Sequence, residues 1–267
     1  MLSSKSSSFV LTAIINLILA FFSIQADAKD PAIAKLFAQQ HIEGTMVIAS
    51  LHEHKTFIYN NPRAKRRFPI ASTFKILNSL IALEEHAISG TDEVLKWDGQ
   101  LYDFPDWNRD QTLATAFKVS CVWCYQELAR RVGPEKYRNY LHNLEFGELR
   151  EPFEATSFWL DGALTISAIE QVEFLKKVYL RTLPFSTKTY ETVRQIMQVE
   201  QTPHYTLYAK TGWATRSSPQ VGWYVGYVET AKDIWFFATN LEIRNKNELP
   251  LRQQLTRSAL QEKGIIQ

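Results

Sequence analysis

The sequence predicts an α+β fold in which an antiparallel sheet is built from both chain ends and covered by helices. A mostly helical part is inserted between the two ends. Runs rich in β-branched and aromatic residues stand at 45–50 and 56–59, and again at 205–211, 221–229 and 234–240. Between these two groups apolar residues recur at helical spacing. The chain has 267 residues, 45% hydrophobic and 22% charged, which suits one large core with at most a subdomain. The expected division is a leader at 1–28 and a single domain at 29–267. Its sheet part takes about 29–70 and 185–267, and its helical part about 71–184.

Taken in order, the chain opens with Lys5, an almost uncharged apolar run over 9–24, and Ala26-Asp27-Ala28, a small-x-small cleavage site. This pattern reads as a secretory signal peptide cut after Ala28, and hence a periplasmic protein. The apolar run, about 16 residues, is short for a membrane span. No cysteine lies near the cleavage site, which argues against a lipid anchor, so no stable membrane anchor is expected. Residues 31–40 read as a helix, and 45–50 and 56–59 as two strands joined by the polar turn His52-Glu53-His54-Lys55. His52 and His54 lack a third ligand at a sensible spacing, so no metal is expected. The basic run Arg63-Ala64-Lys65-Arg66-Arg67 is short and the net charge is only +2, so nucleic acid is not an expected partner. Aromatics at 13% imply a broad apolar cleft or core.

Residues 68–77 read F-P-I-A-S-T-F-K-I-L, with apolar positions continuing at Leu80, Ile81 and Leu83. That spacing predicts a buried helix running to about Ile88, with Ser72 in its first turn. Ser72 and Lys75, three apart, share a face near the positive helix end. A loop-rich stretch follows over 89–110, with Trp97, Phe104 and Trp107. Helices are predicted over 112–132, 134–141, 168–182 and 187–199, the third opened by the capping box Ser167-Ala168-Ile169-Glu170. After the last three strands a helix over 251–263 closes the chain. The two cysteines, Cys121 and Cys124, fall in an apolar helical stretch. They read as buried free thiols, because an i,i+3 disulfide inside a helix is awkward.

Three short motifs stand in order: Ser72-Thr73-Phe74-Lys75, Ser120-Cys121-Val122 and Lys210-Thr211-Gly212. S-x-x-K, a central serine triplet and K-T-G form the signature set of penicillin-recognising serine enzymes. Ser120 is expected to start a helix, and Lys210-Thr211-Gly212 to end a strand. With these motifs the chain resembles the class D, or oxacillinase-type, serine β-lactamases over nearly its whole mature length. The family's S-x-V appears as Ser120-Cys121-Val122, its F-W-L as Phe158-Trp159-Leu160, and its arginine region as Leu249-Pro250-Leu251-Arg252. One element departs: the family's Y-G-N is matched by Phe146-Gly147-Glu148, so no role is carried onto Phe146 or Glu148.

The resemblance implies a transpeptidase-like fold and hydrolysis of the β-lactam ring of penicillin-type antibiotics. Ser72 would be the nucleophile and Ser120 a proton relay. The backbone N–H groups of Ser72 and Trp213 would form the oxyanion hole. Lys210, Thr211, Gly212 and Arg252 would bind the substrate carboxylate. Lys75 would be general base after taking up carbon dioxide to become an N-carboxylysine, in a pocket walled by Val122, Trp159 and Leu160. Carbon dioxide or bicarbonate, as the source of that carbamate, is the one small molecule required besides substrate. Trp107 and Trp213 are candidates for the cleft lining, and the loop 214–219 resembles that of some carbapenem-hydrolysing members. A monomer or a homodimer is expected. Two other readings stay open: a β-lactam sensor domain that acylates without turnover, and a penicillin-binding D-Ala-D-Ala peptidase. The first is expected to carry a membrane-linked signalling part, the second S-x-N rather than Ser120-Cys121-Val122.

Overall fold

The computed structural model describes residues 30–267. The leader reading at 1–28 therefore lies outside the described residues. Helix α1 (Pro31–Gln39) starts at Asp30, whose carboxylate accepts from the N–H groups of Ala32 and Ile33, and Pro31 takes the first position, where no N–H is needed. Strands β1 (Gly44–Ser50) and β2 (Thr56–Tyr59) form the first hairpin, followed by α2 (Asn61–Lys65) and the two-residue strand β3 (Phe68–Pro69). A 3₁₀ turn over Ala71–Phe74 runs directly into α3 (Lys75–Glu84). The helix expected as far as Ile88 thus opens with a tighter turn and stops four residues early, where His86 takes a positive φ of 54°.

The helical part continues with the small pair β4 (Val94–Leu95) and β5 (Gln111–Thr112), then α4 (Leu113–Lys118), α5 (Val122–Val132) and α6 (Pro134–Asn143). The single helix expected over 112–132 is therefore two. Ser120 adopts φ 59°, in the left-handed region that an α-helix cannot contain, and the chain turns there. Strands β6 (Glu148–Leu149) and β7 (Leu164–Ile166) join β3 in a three-stranded sheet that the sequence did not announce, because two- and three-residue strands carry no period. Helix α7 (Ala168–Tyr179) has its full capping box, Ser167 with Glu170, and α8 (Thr187–Met197) is capped by Ser186.

The main sheet has the order β2-β1-β11-β10-β9-β8, with β8 (Gln198–Gln201), β9 (Tyr205–Ala214), β10 (Gln220–Thr230) and β11 (Ile234–Ile243). Every pair in it is antiparallel, and β1 lies beside β11, so the two chain ends do meet in one sheet. Helix α9 (Leu251–Glu262) closes the chain against β10 and β11. Both sheet faces are buried. Val47 and Ala49 of β1 enter one core with α3, α5 and α7, while Met46 and Ile48 enter the other with α1 and α9. That period of two explains why these strands read as nearly continuous apolar runs. Strand β8 pairs only with residues 206–208 of β9, so the outer edge of β9 beyond residue 208 has no strand partner.

Gly226 marks the tightest crossing within the sheet. A Cβ there would press on the backbone carbonyl oxygen of Tyr208 and lie 2.8 Å from the Ala209 Cα. Backbone of a paired central strand cannot move aside as a side-chain tip can. Gly226→Ala is expected to destabilise the protein by about 3 kcal/mol or more. A chemical-denaturation midpoint within error of the parent's would contradict this.

Candidate active site

The site forms where the 3₁₀ turn of Ser72, the α4–α5 break and the open edge of β9 converge. The turn is held from several sides. Trp223 of β10 donates from Nε1 to the Pro69 carbonyl oxygen at 2.9 Å. Thr73 donates to the Ile70 carbonyl oxygen at 2.7 Å, and Gln171 of α7 donates to Thr73 Oγ1 at 2.8 Å. Ala71, just before Ser72, has φ 51°, a left-handed conformation that costs a residue with a Cβ about 1–3 kcal/mol. Gly212 lets β9 approach: a Cβ there would sit 3.1 Å from Thr73 Cγ2 and 3.3 Å from the Thr73 nitrogen.

Lys75 begins α3 and is fully buried, with Nζ donating to Ser72 Oγ at 3.0 Å. Among the described residues it forms no ion pair. Loss of water alone pulls its pKa from 10.5 to about 7. The Tyr125 ring lies 4.9 Å below Nζ, and the Tyr125 hydroxyl is paired with Ser79 Oγ at 2.8 Å. Ser79 in turn donates to the Lys75 carbonyl oxygen at 2.7 Å. Tyr125 was not singled out in the sequence, although its place five residues after Ser120 puts it one turn into the following helix.

Ser120 Oγ accepts from Lys210 Nζ at 2.8 Å. Lys210 is 4% exposed and also donates to the Thr211 carbonyl oxygen at 3.0 Å. Burial, then the nearby charges of Lys75 and Arg252, hold its pKa well below the usual lysine value. The Phe117 ring lies 5.5 Å from its Nζ. Because the Thr211 carbonyl faces this site and residues two apart in a strand share an edge, the Trp213 N–H faces it too. The Trp213 indole donates to Gln220 Oε1 at 3.0 Å. Lys210, Thr211 and Gly212 lie inside β9, not at its end, since the strand continues to Ala214. From α9, Arg252 donates Nη1 to the Gly212 carbonyl oxygen at 2.6 Å, and its Nε is buried without a partner. Burial lowers its pKa to about 10. A cavity of about 520 Å³ beside this cationic end is lined by Phe117, Lys118, Lys210, Thr211, Tyr224 and Arg252. It does not reach Ser72.

The three residues expected to wall the lysine pocket stand in different settings. Trp159 is fully buried, its ring 5.7 Å from that of Phe74, and its Nε1 has no hydrogen-bond partner. Leu160 is half-buried against the main core, and Val122, also half-buried, opens α5 two residues after Ser120. Trp107 donates from Nε1 to the Val119 carbonyl oxygen at 3.0 Å, so it anchors the loop before β5 to the Ser120 turn. Phe146 packs on Phe74 and Phe174, and Glu148 pairs with Arg67; neither contacts the catalytic groups.

The cysteines correct the sequence reading. Cys121 and Cys124 are disulfide-bonded, with Cα atoms 5.5 Å apart. The objection to an i,i+3 bridge assumed an unbroken helix. Cys121 is instead the N-cap of α5, with φ −52° and an extended ψ of 119°, and this non-helical backbone swings its Sγ over the first turn.

Residues 28–261 match the penicillin binding protein transpeptidase domain family. The β-lactamase OXA-48 of Klebsiella pneumoniae is 41% identical over 230 residues, 86% of this chain and 87% of that protein. The regulatory protein BlaR1 of Bacillus licheniformis is 35% identical over 83% of this chain, but only 37% of its own length. The crystal structure of FUS-1 (OXA-85), a class D β-lactamase from Fusobacterium nucleatum subsp. polymorphum, superposes with a TM-score of 0.87 at 36% identity, covering 90% of this chain and all of that one. With its fold, its motifs and these relatives agreeing, the chain belongs to the penicillin-binding transpeptidase-like proteins and, among them, to the class D serine β-lactamases.

Proposed function

We propose that this protein hydrolyses the β-lactam ring of penicillin-type antibiotics through an acyl-enzyme on Ser72, and so confers resistance to them. The observation that carries the reading is the Ser72–Lys75 pair: an amine 3.0 Å from the hydroxyl, buried, with its pKa lowered to about 7. A serine hydroxyl needs such a base to become a nucleophile. Attack of Oγ on the lactam carbonyl builds a tetrahedral oxyanion, which the backbone N–H groups of Ser72 and Trp213 would stabilise. Each such donor is worth about 3 kcal/mol in the transition state. Ser120, fed by Lys210, would pass a proton to the leaving ring nitrogen as the C–N bond breaks. Lys210, Thr211 and Arg252, with Gly212 allowing close approach, would hold the substrate carboxylate, for which a buried lysine and a half-buried arginine without anionic partners among the described residues are suited.

The Lys75 pocket fits a carboxylated lysine. The neutral amine is what adds carbon dioxide, and the orphan Nε1 of Trp159 is a buried donor in want of an acceptor. When present, the N-carboxy group supplies the general base for acylation and for the deacylating water. Val122 and Leu160 would keep solvent from it. Export through a leader cut after Ala28 belongs to the same reading, and a disulfide suits the oxidising periplasm. The likeness to BlaR1 keeps one other reading in play, a sensor domain that acylates and stops.

Ser72→Ala and Lys75→Ala are each expected to lower steady-state hydrolysis of a chromogenic cephalosporin by at least about a thousandfold. A single burst without turnover in the parent protein would favour the sensor. Cleavage of a D-Ala-D-Ala peptide without β-lactam turnover would favour the peptidase.

The pH dependence follows from the direction of the Lys75 shift. Below about pH 7 the amine takes up a proton and can neither accept one from Ser72 nor add carbon dioxide. Activity is expected to fall as pH drops through about 7 and to recover on adding bicarbonate. A rate flat from pH 5 to pH 8 and indifferent to bicarbonate counts against the carbamate. Trp159→Phe removes the orphan donor with little change of shape. It is expected to raise the bicarbonate needed for half-maximal activity by about tenfold; an unchanged requirement, with a ¹³C-labelled carbamate signal as strong as the parent's, removes Trp159 from the pocket.

The loop 214–219 supports including carbapenems in the substrate range. Imipenem turnover is expected alongside penicillin turnover, and undetectable imipenem hydrolysis by an enzyme active on penicillin would withdraw it.

A further inference from the structure

The C-x-x-C pair takes no part in the chemistry described above, yet Cys121 and Val122 follow Ser120 directly. Ser120 sits in a three-residue break between α4 and α5 with φ 59°. Its N–H reaches the Phe117 carbonyl oxygen at 3.2 Å, and the Cys121 N–H reaches that of Ala116 at 2.9 Å. On the N-terminal side the break is clasped by two tryptophans. Trp107 donates to the Val119 carbonyl oxygen at 3.0 Å, and Trp123 donates back to the Trp107 carbonyl oxygen at 2.9 Å. On the C-terminal side the tie is covalent. The disulfide joins Cys121, outside the helix, to Cys124, the third residue of α5. Cys121 Sγ also accepts from the Cys124 N–H at 3.3 Å, as an N-cap would.

We propose that the Cys121–Cys124 disulfide is a positioning cross-link for Ser120, fixing the break so that Ser120 Oγ stays on Lys210 Nζ. The proposal rests on the hydrolytic reading given above. A left-handed serine is a strained conformation, so its surroundings must over-determine it. Without the cross-link, Cys121 is free to rotate on its own backbone and the break to relax towards an ordinary helical turn. A shift of about 1 Å in a proton-relay group costs up to about a hundredfold in rate. A thiol–disulfide exchange role is excluded by access. Both cysteines are 0% exposed, and exchange requires a thiolate to reach a sulfur. The bond is therefore a permanent part of the folded enzyme and not a switch.

Two variants separate the cross-link from the cap and from simple stability. Cys121→Ala with Cys124→Ala removes both bond and cap. Cys121→Ser with Cys124→Ala keeps an N-cap acceptor and removes only the bond. Assays run well below each variant's melting temperature, on penicillin, with bicarbonate saturating. Both variants are expected to lose about tenfold or more in kcat with KM changed by less than about threefold, because Lys210 and Arg252 still hold the carboxylate. In a Ser120→Ala background the same cysteine changes are expected to lower kcat by less than about twofold, since the group they position is already gone. A full further loss in that background makes the bond a general stabiliser and overturns the proposal, as does an unchanged kcat or failure of both variants to fold. Two titratable thiols in the unreduced, denatured parent protein overturn it directly. A parent enzyme without turnover is the separate result that refutes the hydrolytic reading.

Discussion

The structure depends on keeping an amine dry. Lys75 is fully buried and forms no ion pair among the described residues, and its Nζ has a serine oxygen at 3.0 Å and an aromatic face at 4.9 Å. Desolvation penalises the ammonium, and nothing in the described surroundings repays that cost. The environment therefore selects the uncharged form near neutral pH, which is the form with a lone pair. The helix that carries Lys75 is buried along most of its length, from Lys75 to Leu83. Its core neighbours, among them Phe74, Tyr125, Phe158 and Trp159, exclude water as a by-product of ordinary packing. Stability and reactivity thus draw on the same apolar surface.

A second constraint is geometric. Ser72 follows a residue at φ 51°, and Ser120 itself stands at φ 59°. Both are conformations that a chain with side chains avoids, and both lie at ends of elements where two backbones must come close. Each is held by groups from elsewhere in the chain: Trp223 and Gln171 for the first, Trp107, Trp123 and the disulfide for the second. The unpaired outer edge of β9 then supplies a third wall. Had β8 extended two residues further along β9, it would have occupied the edge that faces Lys210 and Thr211.

The sheet and its helical cover were legible from local pattern, while the convergence of Ser72, Lys75, Ser120, Lys210 and Arg252 was legible from three motifs standing in order and from the family they resemble. Strands buried on both faces announce themselves as apolar runs, and S-x-x-K places two side chains on one helical face. What escaped depends on single backbone angles or on distant partners. The break at Ser120 has no glycine or proline to mark it, since apolar residues continue on both sides of it. The cysteine bond could not be read once that break was missed. The ring of Tyr125 under Lys75, and the indole clasp between Trp107 and Trp123, join residues that only the tertiary fold brings together. Short strands such as β3 and β6 are fixed by their partner β7 and not by their own composition.

The stretch Phe146-Gly147-Glu148 shows how a motif can change while its backbone role persists. Gly147 has φ 62°, and a Cβ there would press on the Thr165 carbonyl oxygen where β6 meets β7. Only glycine suits that position on both counts. Its neighbours are under different demands. Phe146 is 5% exposed and sits edge-on to Phe174 at 4.7 Å and beside Phe74 at 6.4 Å, so an apolar ring is what the site accommodates. Glu148 points outward and shares Arg67 with Glu170, at 2.9 Å and 2.5 Å. Arg67 immediately precedes β3, which leads into the Ser72 turn, so the charge pairs join β6, α7 and the approach to the nucleophile from outside. Such exposed pairs contribute little to stability individually. The aromatic contact behind Phe74 bears more of the load, because Phe74, next to Lys75 in the chain, also stacks on Trp159. In this chain the support for that wall is therefore apolar packing where the family's motif offers a phenol and an amide.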